Sequence, residues 1–284
     1  MSPGPGLTRL TAELEAYRNR DTSLEPIVRL YQAIFAIQES AKQRTPAALA
    51  VPLAAALARL RSGQAVLEGS TLSLPYPLFR ETAVSLGDAF SQTSGEVFPT
   101  TALLSLPQLQ PEALDSFVAE MLANRTEVVH DFLQGTSFNE ATLFFFLHSL
   151  LTPFFQARAT PYQELVAQSG WHAGCCPFCG SAPAYARLLL ADGSRQLYCP
   201  LCRTEWHFSR LGCPFCGNED QKLLRYCHRE GDPGHRADVC ERCKRYIKTT
   251  DERALGREAI PQVEAAVTFA VDQLAESSGY QPGP

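Results

Sequence analysis

Apolar positions in the first part of the chain recur every three to four residues. Ile27, Leu30, Tyr31, Ile34, Phe35 and Ile37 mark one face of an amphipathic helix. Residues 45–60 are rich in Ala and Leu. Thr45-Pro46 supplies a helix start, while Pro52 predicts an end or kink at that point. Pro111-Glu112-Ala113-Leu114 puts Pro and an acid where a first helical turn favours them. Asn139-Glu140 reads as an N-cap for the apolar run 141–155. That run is interrupted by His148, Ser149 and Pro153 and falls short of the ~20 residues of a spanning helix, so it predicts a buried core helix. The whole pattern predicts an all-helical domain of six to eight helices over residues 1–165. No catalytic constellation appears in it, and His130 and His148 read as isolated core or surface residues. Near the other end, Ile260, Val263, Val267, Val271 and Leu274 predict one terminal amphipathic helix over 258–278, closed by Gly279. Residues 281–284 are expected to fray.

Cysteine usage changes the picture. The first 170 residues have none, and all ten lie between Cys175 and Cys243. This composition break predicts a domain boundary near residues 169–171. Eight cysteines form four Cys-x-x-Cys pairs: Cys176/Cys179, Cys199/Cys202, Cys213/Cys216 and Cys240/Cys243. Each pair puts two sulfurs on one tight turn, and two turns complete a tetrahedral site. Nineteen residues separate the first pair from the second, and 23 the third from the fourth. Both lengths fit a hairpin between two knuckles, so the pairs are expected to combine in order. Cys176-Pro-Phe-Cys-Gly180 recurs as Cys213-Pro-Phe-Cys-Gly217, as two copies of one metal module would require. Gly180 and Gly217 follow the second sulfur, where a positive φ lets amides face the thiolate. Such modules are too small to fold by apolar burial alone, so the metal supplies folding free energy.

Charge follows the same division. Residues 1–170 carry 11 basic and 16 acidic side chains, residues 171–250 carry 12 and 8, and residues 251–284 carry 2 and 6. Two centres of four thiolates around a divalent ion offset the middle excess, which therefore reads as compensation rather than a nucleic-acid footprint. Disulfides would need an oxidising compartment, and the opening residues show no apolar export signal, which predicts a cytoplasmic protein. A thioredoxin-like motif needs a βαβ frame, and a four-iron cluster another cysteine spacing. Two mononuclear sites remain, for zinc or iron. Cys175 and Cys227 are left over, with Cys175 a possible substitute for Cys176.

Three strings carry a family resemblance: Trp171-x3-Cys175-Cys-Pro-Phe-Cys-Gly-Ser-Ala-Pro183, Thr204-Glu-Trp-His-Phe-Ser-Arg210, and Ala237-Asp-Val-Cys-Glu-Arg-Cys-Lys-Arg-Tyr-Ile-Lys248. They resemble the formate dehydrogenase accessory proteins of the FdhE family, over about residues 170–250. The resemblance implies a helical domain, two rubredoxin-like modules, iron as the metal, and a cytoplasmic role in maturing molybdenum or tungsten formate dehydrogenases by binding the catalytic subunit before export. The family's C-terminal helix usually carries an Asp-Asp pair. Here that stretch reads Val263-Glu-Ala-Ala-Val-Thr-Phe-Ala-Val-Asp272, and the pair is lost.

The expected architecture is therefore α+β: a helical domain (1–170), two four-Cys rubredoxin-like or zinc-ribbon modules (171–211 and 212–250), and a C-terminal helix with its tail (251–284). The expected function is a non-enzymatic assembly factor. Trp206, His207 and Arg210 lie between the modules and can fix their orientation or simply pack a hairpin. The alternative is a nucleic-acid-binding zinc ribbon, supported by Arg242, Lys244, Arg245 and Lys248 around Tyr246.

Overall fold

A computed structural model describes residues 5–46, 48–70, 72–122, 132 and 139–283. His130 lies outside the described residues. The helical part comprises α1 (Pro5–Arg20), α2 (Glu25–Arg44), α3 (Leu53–Arg61), α4 (Tyr76–Ser94), α5 (Thr100–Leu104), α6 (Leu114–Leu122), α7 (Glu140–Ala159) and α8 (Gln163–Ser169). In α2 the positions Val28, Ile34, Phe35, Gln38 and Ala41 are buried, with Glu25 in the first turn and Lys42 and Arg44 in the last, as the helix dipole favours. Among the described residues, no helix is long and apolar enough to cross a membrane.

Helix α7 runs through the core, buried on most of its sides. Asn139 caps it, accepting from the Thr142 amide at 3.1 Å. Pro153 removes the amide that would bond the Ser149 carbonyl. Gln38 of α2 fills the gap, donating from Nε2 to Ser149 O at 2.8 Å.

The rest of the fold is one seven-stranded sheet with order β3-β2-β1-β6-β5-β4, and β7 beside β6. Its strands are β1 (Tyr185–Leu188), β2 (Arg195–Tyr198), β3 (Glu205–Phe208), β4 (Leu224–His228), β5 (His235–Cys240), β6 (Arg245–Asp251) and β7 (Gln281–Pro282). β1–β3 and β4–β6 are two antiparallel units of like design, each with its hairpin between two Cys-x-x-Cys turns. The units join edge to edge through a parallel pairing of β1 with β6, Tyr185 opposite Lys248.

The chain departs from the expected pattern in four places. Thr45 ends α2 instead of starting a helix, because the residue before Pro46 takes an extended conformation (φ −76°, ψ 126°). The helix expected at Pro111 begins at Leu114, after a turn. The expected terminal helix is broken: after α9 (Glu252–Leu255) come α10 (Pro261–Val267) and α11 (Phe269–Ser277). Ile260, preceding Pro261, is extended, and the Thr268 hydroxyl donates to the Glu264 carbonyl at 2.6 Å, bending the chain there. Finally, residues 281 and 282 do not fray. They form β7, where the Gln281 amide donates to Lys244 O at 2.9 Å and Arg245 donates to Pro282 O at 3.0 Å.

Candidate metal centres

The eight paired cysteines meet in two groups, Cys176/Cys179/Cys199/Cys202 and Cys213/Cys216/Cys240/Cys243, with all four sulfurs of each within 4.8 Å of one another. In the first group Cys176 and Cys202 stand 3.4 Å apart and Cys179 and Cys199 3.5 Å. In the second, Cys213 and Cys243 are 3.6 Å apart and Cys216 and Cys240 3.7 Å. A tetrahedral ion with metal–sulfur bonds of about 2.3 Å needs sulfur edges of about 3.8 Å, whereas a disulfide needs about 2.05 Å. Each group can hold one metal ion. Cys175 and Cys227 belong to neither.

One local design builds all four turns. The residue after the second cysteine has positive φ each time: Gly180 at 80°, Arg203 at 59°, Gly217 at 65° and Lys244 at 56°. Its amide donates to the carbonyl of the first cysteine at 2.8–3.0 Å. Two of these positions were expected as glycine. The other two hold the only non-glycine residues with positive φ among the described residues. Aligning the four turns by their second cysteine would have shown them.

The sulfurs within each group have unlike environments. Burial alone raises each thiol, but hydrogen bonds from the other three cysteines hold Cys179 well below the ordinary thiol range. Cys216 is likewise held low, by the Asn218 amide and its sister thiols against the effect of burial. Cys176 and Cys213 are raised, first by burial. A bound cation would offset the burial that raises these thiols and hold all four as thiolates.

The two sites differ in setting. All four cysteines of the first are buried in the main core. The loop after α3 pairs with the first turn, Val66 N to Pro177 O and Leu67 N to Phe178 O, both at 2.9 Å. Phe178 packs on Tyr162, their rings 5.4 Å apart. Arg203 reaches Gln38 and Gln156 from the second turn, its guanidinium over the Phe35 ring. In the second site Cys216 and Cys243 are partly exposed, and a separate small core of Ala237, Val239, Tyr246, Val271 and Ala275 backs the sheet.

The residues between the modules have distinct roles. Trp206 is buried and donates to Ala173 O at 2.9 Å, and Trp171 donates to Cys175 O at 3.0 Å, so both indoles tie down the segment entering the first turn. His207 and Arg210 are exposed. Gly174 lies so near the Pro214 carbonyl that a β-carbon has no room. The basic group around Tyr246 is dispersed: Tyr246 is buried, Lys248 donates to Asp272 at 2.7 Å behind the sheet, and Arg242 and Lys244 remain exposed. Asp272 therefore braces β6.

A cavity of about 450 Å³ lies among α6, α7, the first module and the C-terminal tail. His148 lines it and is lowered to about 4 by burial, so it is neutral. Tyr246, Lys248 and Asp272, also on its wall, satisfy one another. Among the described residues of this lining, no nucleophile is paired with a base.

Comparison with known proteins gives a consistent result. A family model described as the FdhE central domain matches residues 175–210, which contain the whole first cysteine group. An FdhE homologue from Aquifex aeolicus is 29% identical over 156 residues, 54% of this chain and 54% of that protein. One from Stutzerimonas stutzeri is 37% identical over 37% of this chain and 35% of its own length, and Escherichia coli FdhE is 31% identical over 40% and 37%. The matched region thus spans about half of the first relative and little over a third of the others. The crystal structure of the FdhE protein from Pseudomonas aeruginosa has the same fold, with a TM-score of 0.62 over 99% of this chain and 95% of that one, at 21% identity. In its central-domain motif and over the part matched by its curated relatives, this chain is therefore similar to the FdhE proteins, and it shares their fold.

Proposed function

We propose that this chain is a cytoplasmic accessory protein for formate dehydrogenase maturation, which binds the catalytic subunit of a molybdenum or tungsten formate dehydrogenase before export and catalyses no reaction itself. The observation that carries this reading is the FdhE central-domain match on residues 175–210. The eight paired cysteines serve as ligands of two mononuclear metal ions. Family resemblance favours iron, and zinc suits the same thiolate set. A bound ion supplies structural cross-linking, on the order of 10 kcal/mol for so small a module. The protein's own residues do the rest: the positive-φ positions close each turn through their amides on the first cysteine's carbonyl, Trp171 and Trp206 fix the entering segment, and the helical body offers partner surface.

Gene deletion with complementation tests the function. Loss of formate oxidation in washed cells is expected, restored by the wild-type chain and not by the Cys176→Ser/Cys179→Ser variant. Co-purification of the catalytic subunit with the wild-type chain is expected in the same strain. Normal formate oxidation in the deletion strain, in a host with the enzyme and no second copy of this protein, contradicts the proposal.

A further inference from the structure

The C-terminal helices cover one face of the second module's sheet, and the other face opens beside its cysteine group. A cavity of about 290 Å³ there is walled by Arg195, Arg210, Arg225, Arg236 and Arg245, with Asp238 the single carboxylate among the described residues of its lining. Even if the neighbouring four-thiolate centre is counted as doubly negative, five guanidinium groups outweigh it and Asp238 together.

Arg195 forms the inner end and is 3% exposed. Its Nη1 donates to Gly212 O at 2.9 Å. Its Nε and Nη2 have no hydrogen-bond partner among the described residues. Buried donors left unpaired are costly, and an acceptor from outside the chain is a standard remedy. Asp238 is already occupied: it accepts from Arg236 Nε at 2.8 Å and from Thr249 Oγ1 at 2.8 Å, and stands 3.5 Å from Arg195 Nη2. Arg236 lies over the Tyr226 ring at 4.8 Å, which fixes the plane of its guanidinium. Arg210 and Arg225 stand exposed at the rim, where Arg225 helps hold the Glu241 carboxyl low behind the larger effects of Lys244 and Tyr280.

We propose that this cleft docks an acidic peptide segment of a protein partner, one carboxylate entering toward Arg195 while Arg210 and Arg225 hold its neighbours. A planar guanidinium fork suits a carboxylate. The cleft is concave with apolar Phe215 and Ile247 in its wall, which fits a side chain better than a phosphate backbone running over an exposed basic surface. The proposal goes beyond the accessory-protein reading and does not depend on it.

Fluorescence anisotropy of labelled hexaglutamate and hexaglutamine peptides, titrated with the full metal-loaded chain, tests it. Hexaglutamate should bind, more weakly as salt is raised, and hexaglutamine should not. Arg210→Ala with Arg225→Ala, checked for wild-type metal content and melting temperature, should weaken binding about tenfold. The proposal would be overturned by no binding by the wild type, by equal binding by the double variant, or by displacement by acetate at equal carboxylate concentration, which would mark a simple anion site. Tighter binding of a thymidine oligonucleotide through the same arginines would overturn it in favour of nucleic acid.

Discussion

Gly217 shows how little separates a working turn from a strained one. Its φ of 65° is one that residues with side chains adopt at a cost, and a β-carbon there meets no atom within 4 Å. Gly217→Ala should therefore destabilise the chain by about 1 kcal/mol through backbone strain alone, measurable by denaturant titration. A second residue-level feature was invisible in the sequence. His235 lies between Asp232 and Glu264, each 2.9 Å away, with the Tyr17 hydroxyl at 3.2 Å and Arg257 bonded to the far oxygen of Glu264. Burial pushes His235 down, but the two carboxylates outweigh it and hold it above its ordinary 6.5. Burial pushes Glu264 up, but His235 and Tyr17 hold it below 4.5. The histidine's contribution is complete below pH 6.5 and is lost as pH rises through its raised value. The glutamate's is present above pH 4.5 and is lost as pH falls through its lowered value. The melting temperature should thus fall on the alkaline side of this window, and His235→Gln should flatten that fall. Equal slopes for both proteins would contradict it. The cysteines and their glycines were legible because each turn is local. The Tyr17–His235–Glu264 cluster was not, because its members come from three distant segments and none has a motif.

Helices with a clean apolar repeat, such as α2, were legible, and so was the capped start of α7. Their ends were not, where proline or threonine redirected the backbone. The terminal helix illustrates this: its repeat persists through Thr268, but the Thr268 hydroxyl takes the Glu264 carbonyl and splits the helix. The proline in α7 is tolerated for a reason that lies in another element, since Gln38 satisfies the carbonyl that Pro153 leaves free and also accepts from Arg203 of the first module. Gln38→Leu keeps the volume but orphans both groups. A loss of about 2 kcal/mol is expected in thermal or denaturant unfolding. A loss within 0.5 kcal/mol, ordinary for a surface change, would mean that these bonds do not couple helix to module.

The internal repeat in the sequence foretold two like modules, but not that β1 and β6 would fuse them into one sheet, nor that one site would be buried and the other partly open. Parallel edge pairing depends on contacts between distant strands, which a local pattern does not encode. The difference in burial has a kinetic consequence. The second ion should leave first under a chelator, because Cys216 and Cys243 are partly exposed, while the first group is sealed in the main core. Release followed by absorbance should show two phases, with the slow phase retained in a Cys213→Ser/Cys216→Ser variant. The most direct test of the account is metal stoichiometry by native mass spectrometry of the wild type and two double variants. Two ions per wild-type chain are expected, with one in Cys176→Ser/Cys179→Ser and one in Cys213→Ser/Cys216→Ser, while Cys175→Ala and Cys227→Ala keep both. A folded, metal-free wild type, or loss of both ions from either double variant, would contradict two independent sites built from consecutive pairs.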